Sequence, residues 1–146
     1  MRRLALAALL LGACSEPKPP PRLESLSTPE GHPRSKIVSR GETFSPVDYL
    51  VPGHVTVLGF SADWCKISQQ ASPWVDQLVA RYDKVLLRKV DVGDGVTPAA
   101  RQAKSEHQLK STPFYVVFDG RGLLVGRVEG PDVGALEWGI RKALAP

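Results

Sequence analysis

The sequence predicts an α/β domain with a central mixed β-sheet covered by helices on both faces. Three observations predict it. β-Branched, apolar runs alternate with stretches of helical periodicity along most of the 146 residues, the arrangement that yields parallel strands with helices packed over them. Proline and glycine punctuate the joints between these segments. The last two strand-like runs are separated only by Asp119-Gly-Arg-Gly122, which closes the sheet with an antiparallel hairpin. About 110 residues take part, enough for one hydrophobic core.

Each element has its own reason. Lys36 to Val38 reads as a short first strand, and Phe44 to Leu50 as a short helix ended by Pro52-Gly53. His54 to Phe60 is β-branched and apolar, the pattern of a buried strand. Beyond Cys65, Ile67, Ala71, Trp74, Val75, Leu78, Val79 and Tyr82 recur on one helical face. Pro73 falls inside that helix and removes one backbone donor, so a kink is expected there. Val85 to Val92 is a second strong strand, followed by a turn at Gly93-Asp-Gly95. Thr97 suits an N-cap and Pro98 the first helical position of a helix reaching about Gln108. Thr112 to Phe118 and Leu123 to Val128 form the hairpin. Asp132 caps a last helix that turns Val133, Leu136, Ile140, Ala143 and Leu144 inward.

Composition excludes several functions. The formal net charge is +4, and no run of Lys and Arg forms a nucleic-acid stripe. Two cysteines cannot staple a disulfide mini-protein or supply three thiolates to zinc. His32, His54 and His107 lack metal-ligand spacing, and Asp91, Asp94 and Gly95 lack the ligand series of a calcium loop. Ser61, Ser68 and His107 come without a nucleophile elbow, so no hydrolase is read. His107 reads as an exposed helix residue. Phe114, Tyr115 and Phe118 read as strand core, and Trp138 falls beside the apolar face of the last helix. No cofactor and no metal is expected, and the domain is expected to be a monomer.

The N-terminus reads as an address. Met1-Arg2-Arg3 is basic, Leu4 to Leu11 is Leu and Ala only, and Leu11-Gly-Ala-Cys14 closes with small residues. That is the order of a secretory signal, too short to span a bilayer. Its ending resembles the lipobox of bacterial lipoproteins, which implies lipidation of Cys14, membrane attachment and an extracytoplasmic (periplasmic) site in the cell envelope. An ordinary signal peptide is the simpler alternative. Residues 15–35 hold six prolines and few large apolar side chains. They read as a linker outside the fold, leaving 36–146 as the domain.

Phe60-Ser-Ala-Asp-Trp-Cys65-Lys-Ile-Ser68, the proline-containing helix after it, Thr112-Pro113 and the hairpin followed by Gly130 together resemble the thioredoxin family. The match runs from about Lys36 to the end, and it implies a thioredoxin-like fold. Between a buried strand and a helix, Cys65 sits at a helix N-terminus, where free backbone N–H groups favour an anion. A thiol there has a lowered pKa, and the thiolate is what attacks a disulfide. The resemblance implies that Pro113 is cis and faces the cysteine. It also implies that Trp64, Lys66, Ile67, Thr112, Pro113 and Gly130 contact substrate.

Two departures change the chemistry expected. The family motif is Cys-x-x-Cys, whereas Ser68 replaces the second cysteine here. Ser68 can donate a hydrogen bond to a thiolate but cannot resolve a mixed disulfide. The second is Gly59, six residues before Cys65, where many family members carry a buried aspartate as a proton relay. Three readings follow. Cys65 is a monothiol exchanging with a protein disulfide or a small thiol, with Cys65 and Ser68 as its catalytic residues. Alternatively, the domain is a non-catalytic binding module or adaptor for an envelope partner. In the third, Cys65 is an inert packed thiol.

Overall fold

A computed structural model of the chain describes residues 22–146. The elements run β1 (Ser35–Ser39), α1 (Pro46–Tyr49), β2 (Val55–Ser61), α2 (Lys66–Ala80), β3 (Val85–Asp91), α3 (Pro98–His107), β4 (Phe114–Phe118), β5 (Leu124–Glu129) and α4 (Val133–Leu144). This is the predicted order. The strands form one five-stranded sheet in the spatial order β1-β3-β2-β4-β5. β2 pairs with β3 in parallel and with β4 antiparallel, and β5 adds antiparallel to β4.

Strand periodicity divides the core in two. Leu58, Phe60, Val90, Phe114 and Val116 face one side, packed with Phe44 and Tyr49 beside α1 and with Ala99, Ala100 and Ala103 of α3. Val55, Val57, Leu87, Tyr115 and Val117 face the other, against Val75, Leu78 and Val79 of α2 and Leu136 and Ile140 of α4. The expected caps form. The Thr97 hydroxyl accepts the Ala100 N–H, and Asp132 Oδ1 accepts the Ala135 N–H. Phe114, Tyr115 and Phe118 are buried, as strand core requires.

Four expectations need correction. Leu144, expected on the inner face of the last helix, lies exposed at its end. The linker reading of 15–35 does not extend over its second half. Leu23 is 2% exposed and joins the α2–α4 core, and Thr28, Arg34 and Ser35 are buried. The Arg34 guanidinium donates to the Tyr82 carbonyl and to Asp83. A few buried contacts outweigh proline-rich composition here. His107 is buried rather than exposed, stacked on Phe44 and tilted against Phe60. Its imidazole can fill an aromatic niche that its polarity alone does not suggest. In α2, which runs on through Pro73, Ile67 and Trp74 are 51% and 63% exposed. The buried stripe is instead Ser68, Ala71, Val75, Leu78 and Val79, so these two lie on its flank.

Candidate functional site

The site forms where β2 hands over to α2. β2 ends at Ser61, and a tight turn follows in which the Cys65 N–H donates to the Ala62 carbonyl at 3.0 Å. Cys65 is the N-cap residue of α2, with extended backbone angles and no side-chain cap bond. Its sulfur therefore stands beside the first free N–H groups of the helix.

Opposite it lies the loop entering β4. The Cys65 thiol donates to the Thr112 carbonyl at 3.6 Å, and the Thr112–Pro113 peptide bond is cis. Thr112 is half-buried and Pro113 buried. The Gly130 N–H donates to the Pro113 carbonyl at 2.9 Å, with Gly130 at φ +76°. The fold thus brings Cys65, Ser68, Thr112, Pro113 and Gly130 together from three separate stretches of chain. Trp64 is 67% exposed, and its indole N–H donates to the Gly93 carbonyl at 2.6 Å. Lys66 and Ile67 lie exposed on the first turn of α2. Cys14, the expected lipidation residue, lies outside the described residues.

The surroundings of the sulfur favour its charged form. The Cys65 thiol is lowered from an ordinary 9.0 to about 7. The Ser68 hydroxyl is the largest cause, followed by the Thr112 side chain and the Ser68 backbone N–H, with partial burial opposing them. Ser68 Oγ is shut off from solvent and has no well-formed hydrogen bond while the thiol is neutral. The thiolate supplies the acceptor that this buried hydroxyl lacks.

Sequence reasoning did not find two parts of this neighbourhood. The Gly93 carbonyl steadies Trp64, and only the turn after β3 hints at it. Beneath Ser68, Asp76 of α2 approaches Lys89 of β3, with Asp76 Oδ1 at 3.5 Å from Lys89 Nζ. Gly59 of β2 is paired in register with Lys89 on one side and Tyr115 on the other. A Cβ on Gly59 would stand 3.3 Å from the Tyr115 ring, so Tyr115 crowds the position where the resembling family carries its aspartate.

No protein-family model matches the chain, and no curated protein matches it. Solved structures do. The long form of thioredoxin F from spinach chloroplast superposes with TM-score 0.63 at 20% identity, over 77% of this chain and 88% of that one. Oxidised mitochondrial thioredoxin 3 of Saccharomyces cerevisiae gives TM-score 0.52 at 27% identity, over 62% and 79%. A chain from a structure of the thiol-resolving mechanism of yeast mitochondrial 1-Cys peroxiredoxin via the glutathione and thioredoxin systems gives TM-score 0.52 at 28% identity, also over 62% and 79%. The fold is thioredoxin-like, and it is a fold that carries thiol–disulfide redox chemistry in its neighbours.

Proposed function

We propose that this thioredoxin-like domain is a monothiol catalyst of thiol–disulfide exchange, acting as an isomerase or mixed-disulfide reductase. The observation that carries the reading is the site's composition: one activated sulfur at the start of α2, with a hydroxyl at the position that would hold a second sulfur.

The chemistry follows from those two groups. The Cys65 thiolate attacks one sulfur of a disulfide R–S–S–R′. A Cys65–S–S–R bond forms, the original S–S bond breaks, and R′S⁻ leaves and takes a proton from water. Ser68 holds the thiolate before attack but cannot expel R. A second thiolate from solution or from the same partner must attack the mixed disulfide. Cys65 then leaves as the stable thiolate it began as. The cycle moves disulfides without net oxidation or reduction of the domain. Exposed Trp64 and Ile67 offer apolar contact to a partner chain, and the Thr112–Pro113 loop offers backbone.

The same proposal places the domain on the extracytoplasmic side of the cell envelope, moored by lipid at Cys14. A tether raises the effective concentration of membrane-bound disulfides around Cys65, so weak docking suffices.

The test uses the full chain with glutathione disulfide. One glutathione should attach at Cys65, come off on addition of a second thiol, and be absent in Cys65→Ala. A folded chain whose Cys65 stays free under these conditions refutes exchange and leaves docking as the function of this face.

A further inference from the structure

β5 is an outer strand of the sheet, paired on one side only, with β4. Along an antiparallel strand the backbone N–H and C=O groups of successive residues turn alternately to one side and the other. The Gly130 N–H donates to the Pro113 carbonyl, so Val128, like Gly130, turns its backbone groups toward β4, and Arg127 and Glu129 turn theirs away. Those two residues therefore present an open backbone edge. Their side chains share one face, because Arg127 stands opposite Val116 and Glu129 opposite Phe114, both in the core layer beneath α3. Both are exposed. Arg127 makes no ion pair among the described residues, and Glu129 reaches only the exposed Lys110, at 4.0 Å. Charges of a single sign on an edge strand keep other strands off; here the sign alternates, and the edge is complementary to its own copy.

We propose that β5 pairs antiparallel with β5 of a second copy of this chain, about a two-fold axis through Val128, so that two five-stranded sheets become one. This replaces the monomer expected from the sequence. Charge selects the register. Centred on Val128, Arg127 of each copy stands opposite Glu129 of the other, and these are the residues whose backbone groups are free, so each pair exchanges two backbone hydrogen bonds as well as meeting charge with charge. Centred on Arg127 or on Glu129, like charges face each other, which is unfavourable. Centred on Gly126, Arg127 faces Val125, the residue passed over where the ladder with β4 shifts register, and both charges go unmatched. A contact of this kind uses the same patch on both copies and closes at two chains.

The other face of β5 lets the strands approach. It carries Gly126 and Val128, opposite Val117 and Tyr115 of β4, and then Gly130. In the Val128-centred register Gly126 meets Gly130 of the second copy, so Val128 alone meets a side chain there, its own counterpart. A Cβ on Gly126 would find nothing within 4 Å. The groove between β5 and α4, lined by Val125, Gly126, Ala135, Trp138 and Gly139, runs beside this seam. Trp138 is 66% exposed, with Lys142 Nζ 5.1 Å from the centre of its ring, and a second copy alongside covers apolar surface that one copy leaves open. The seam reaches Gly130, whose N–H holds the Pro113 carbonyl, so the second copy also borders the thiol site. The inference does not depend on Cys65 being reactive.

The experiment is sedimentation equilibrium of the full chain from about 10 to about 500 µM, the range in which a small interface dissociates, with reductant present so that no Cys65 disulfide contributes. Wild type should pass from the mass of one chain to the mass of two and stop there. Arg127→Glu and Glu129→Arg each set like charges opposite one another at both ends of the seam, and each should weaken association roughly tenfold or more. Arg127→Glu combined with Glu129→Arg restores opposite pairs and should return the affinity to within about threefold of wild type. Amide hydrogen exchange gives an independent reading: the Arg127 and Glu129 N–H groups should gain protection as concentration rises, while that of Val128, already in the ladder with β4, should not. A chain that stays single throughout overturns the inference. So does association that both single variants keep, or a double variant, folded by circular dichroism, that stays as weak as the single ones.

Discussion

Ser68→Ala separates the activating hydroxyl from everything else in the site. At pH 7 a thiol with a pKa of about 7 is half ionised. One at the ordinary 9.0 is about 1% ionised, so activation multiplies the thiolate roughly fiftyfold. A more acidic thiolate is a weaker nucleophile, by about eightfold across that range with a Brønsted slope near 0.45, so the net gain is about sixfold. Ser68 is the largest of the causes that lower Cys65. If its hydroxyl supplies about half the effect, Ser68→Ala moves the alkylation midpoint up by on the order of one pH unit. The rate at pH 7 then falls only about twofold, while the plateau above pH 9.5 rises about threefold. The crossing of the two profiles is the signature. The assay is iodoacetamide alkylation against pH, with circular dichroism showing that the variant is folded and about as stable, to within about 1 kcal/mol. A midpoint that stays at about 7 in folded Ser68→Ala would refute the reasoning, because the acidity would then come from Thr112 and the helix N-terminus without the Ser68 hydroxyl.

Other outcomes follow from the same geometry. Gly59→Ala places a Cβ 3.3 Å from the Tyr115 ring and should cost about 1–3 kcal/mol in urea unfolding; an unchanged midpoint would show that the ring yields freely. Burial holds His107 below its ordinary 6.5, so below about pH 6.5 the unfolded chain binds a proton that the folded chain refuses. Stability should fall as pH drops through that range, and His107→Phe should flatten the fall; an unaltered slope would assign it to other groups. Ser68→Cys should allow an internal disulfide between Cys65 and the introduced thiol, and create insulin-reducing activity that wild type lacks. Absence of that activity in a folded variant would place the deficit beyond the missing sulfur.

Much of the fold was legible because local chemistry dictated it. Thr97 with Pro98, and Asp132 before Val133, announce helix starts whose capping bonds form in the structure. The hairpin at Asp119–Gly122 and the buried strands around Leu58 and Val90 depend on composition and alternation alone. What the sequence hid depends on partners distant along the chain. Leu23 is buried only because α2 and α4 converge over it. His107 is buried only because Phe44, Phe60 and Phe118 surround it. Helical periodicity grouped Ile67 and Trp74 with the core, yet the face that α2 buries runs through Ser68, Ala71, Val75, Leu78 and Val79 and leaves both outside. In the site, motif spacing located Cys65, Ser68, Thr112, Pro113 and Gly130. The Asp76–Lys89 pair needed β3 to be laid against α2.

The most direct measurement is disulfide trapping in cells expressing the full chain, followed by identification of what is joined to Cys65. A working monothiol yields one disulfide-linked partner per chain, joined at Cys65, released by added thiol and absent from Cys65→Ala. Recovery of Cys65 only as a free thiol, with partners still bound to Cys65→Ala, would contradict this and make the face a docking surface.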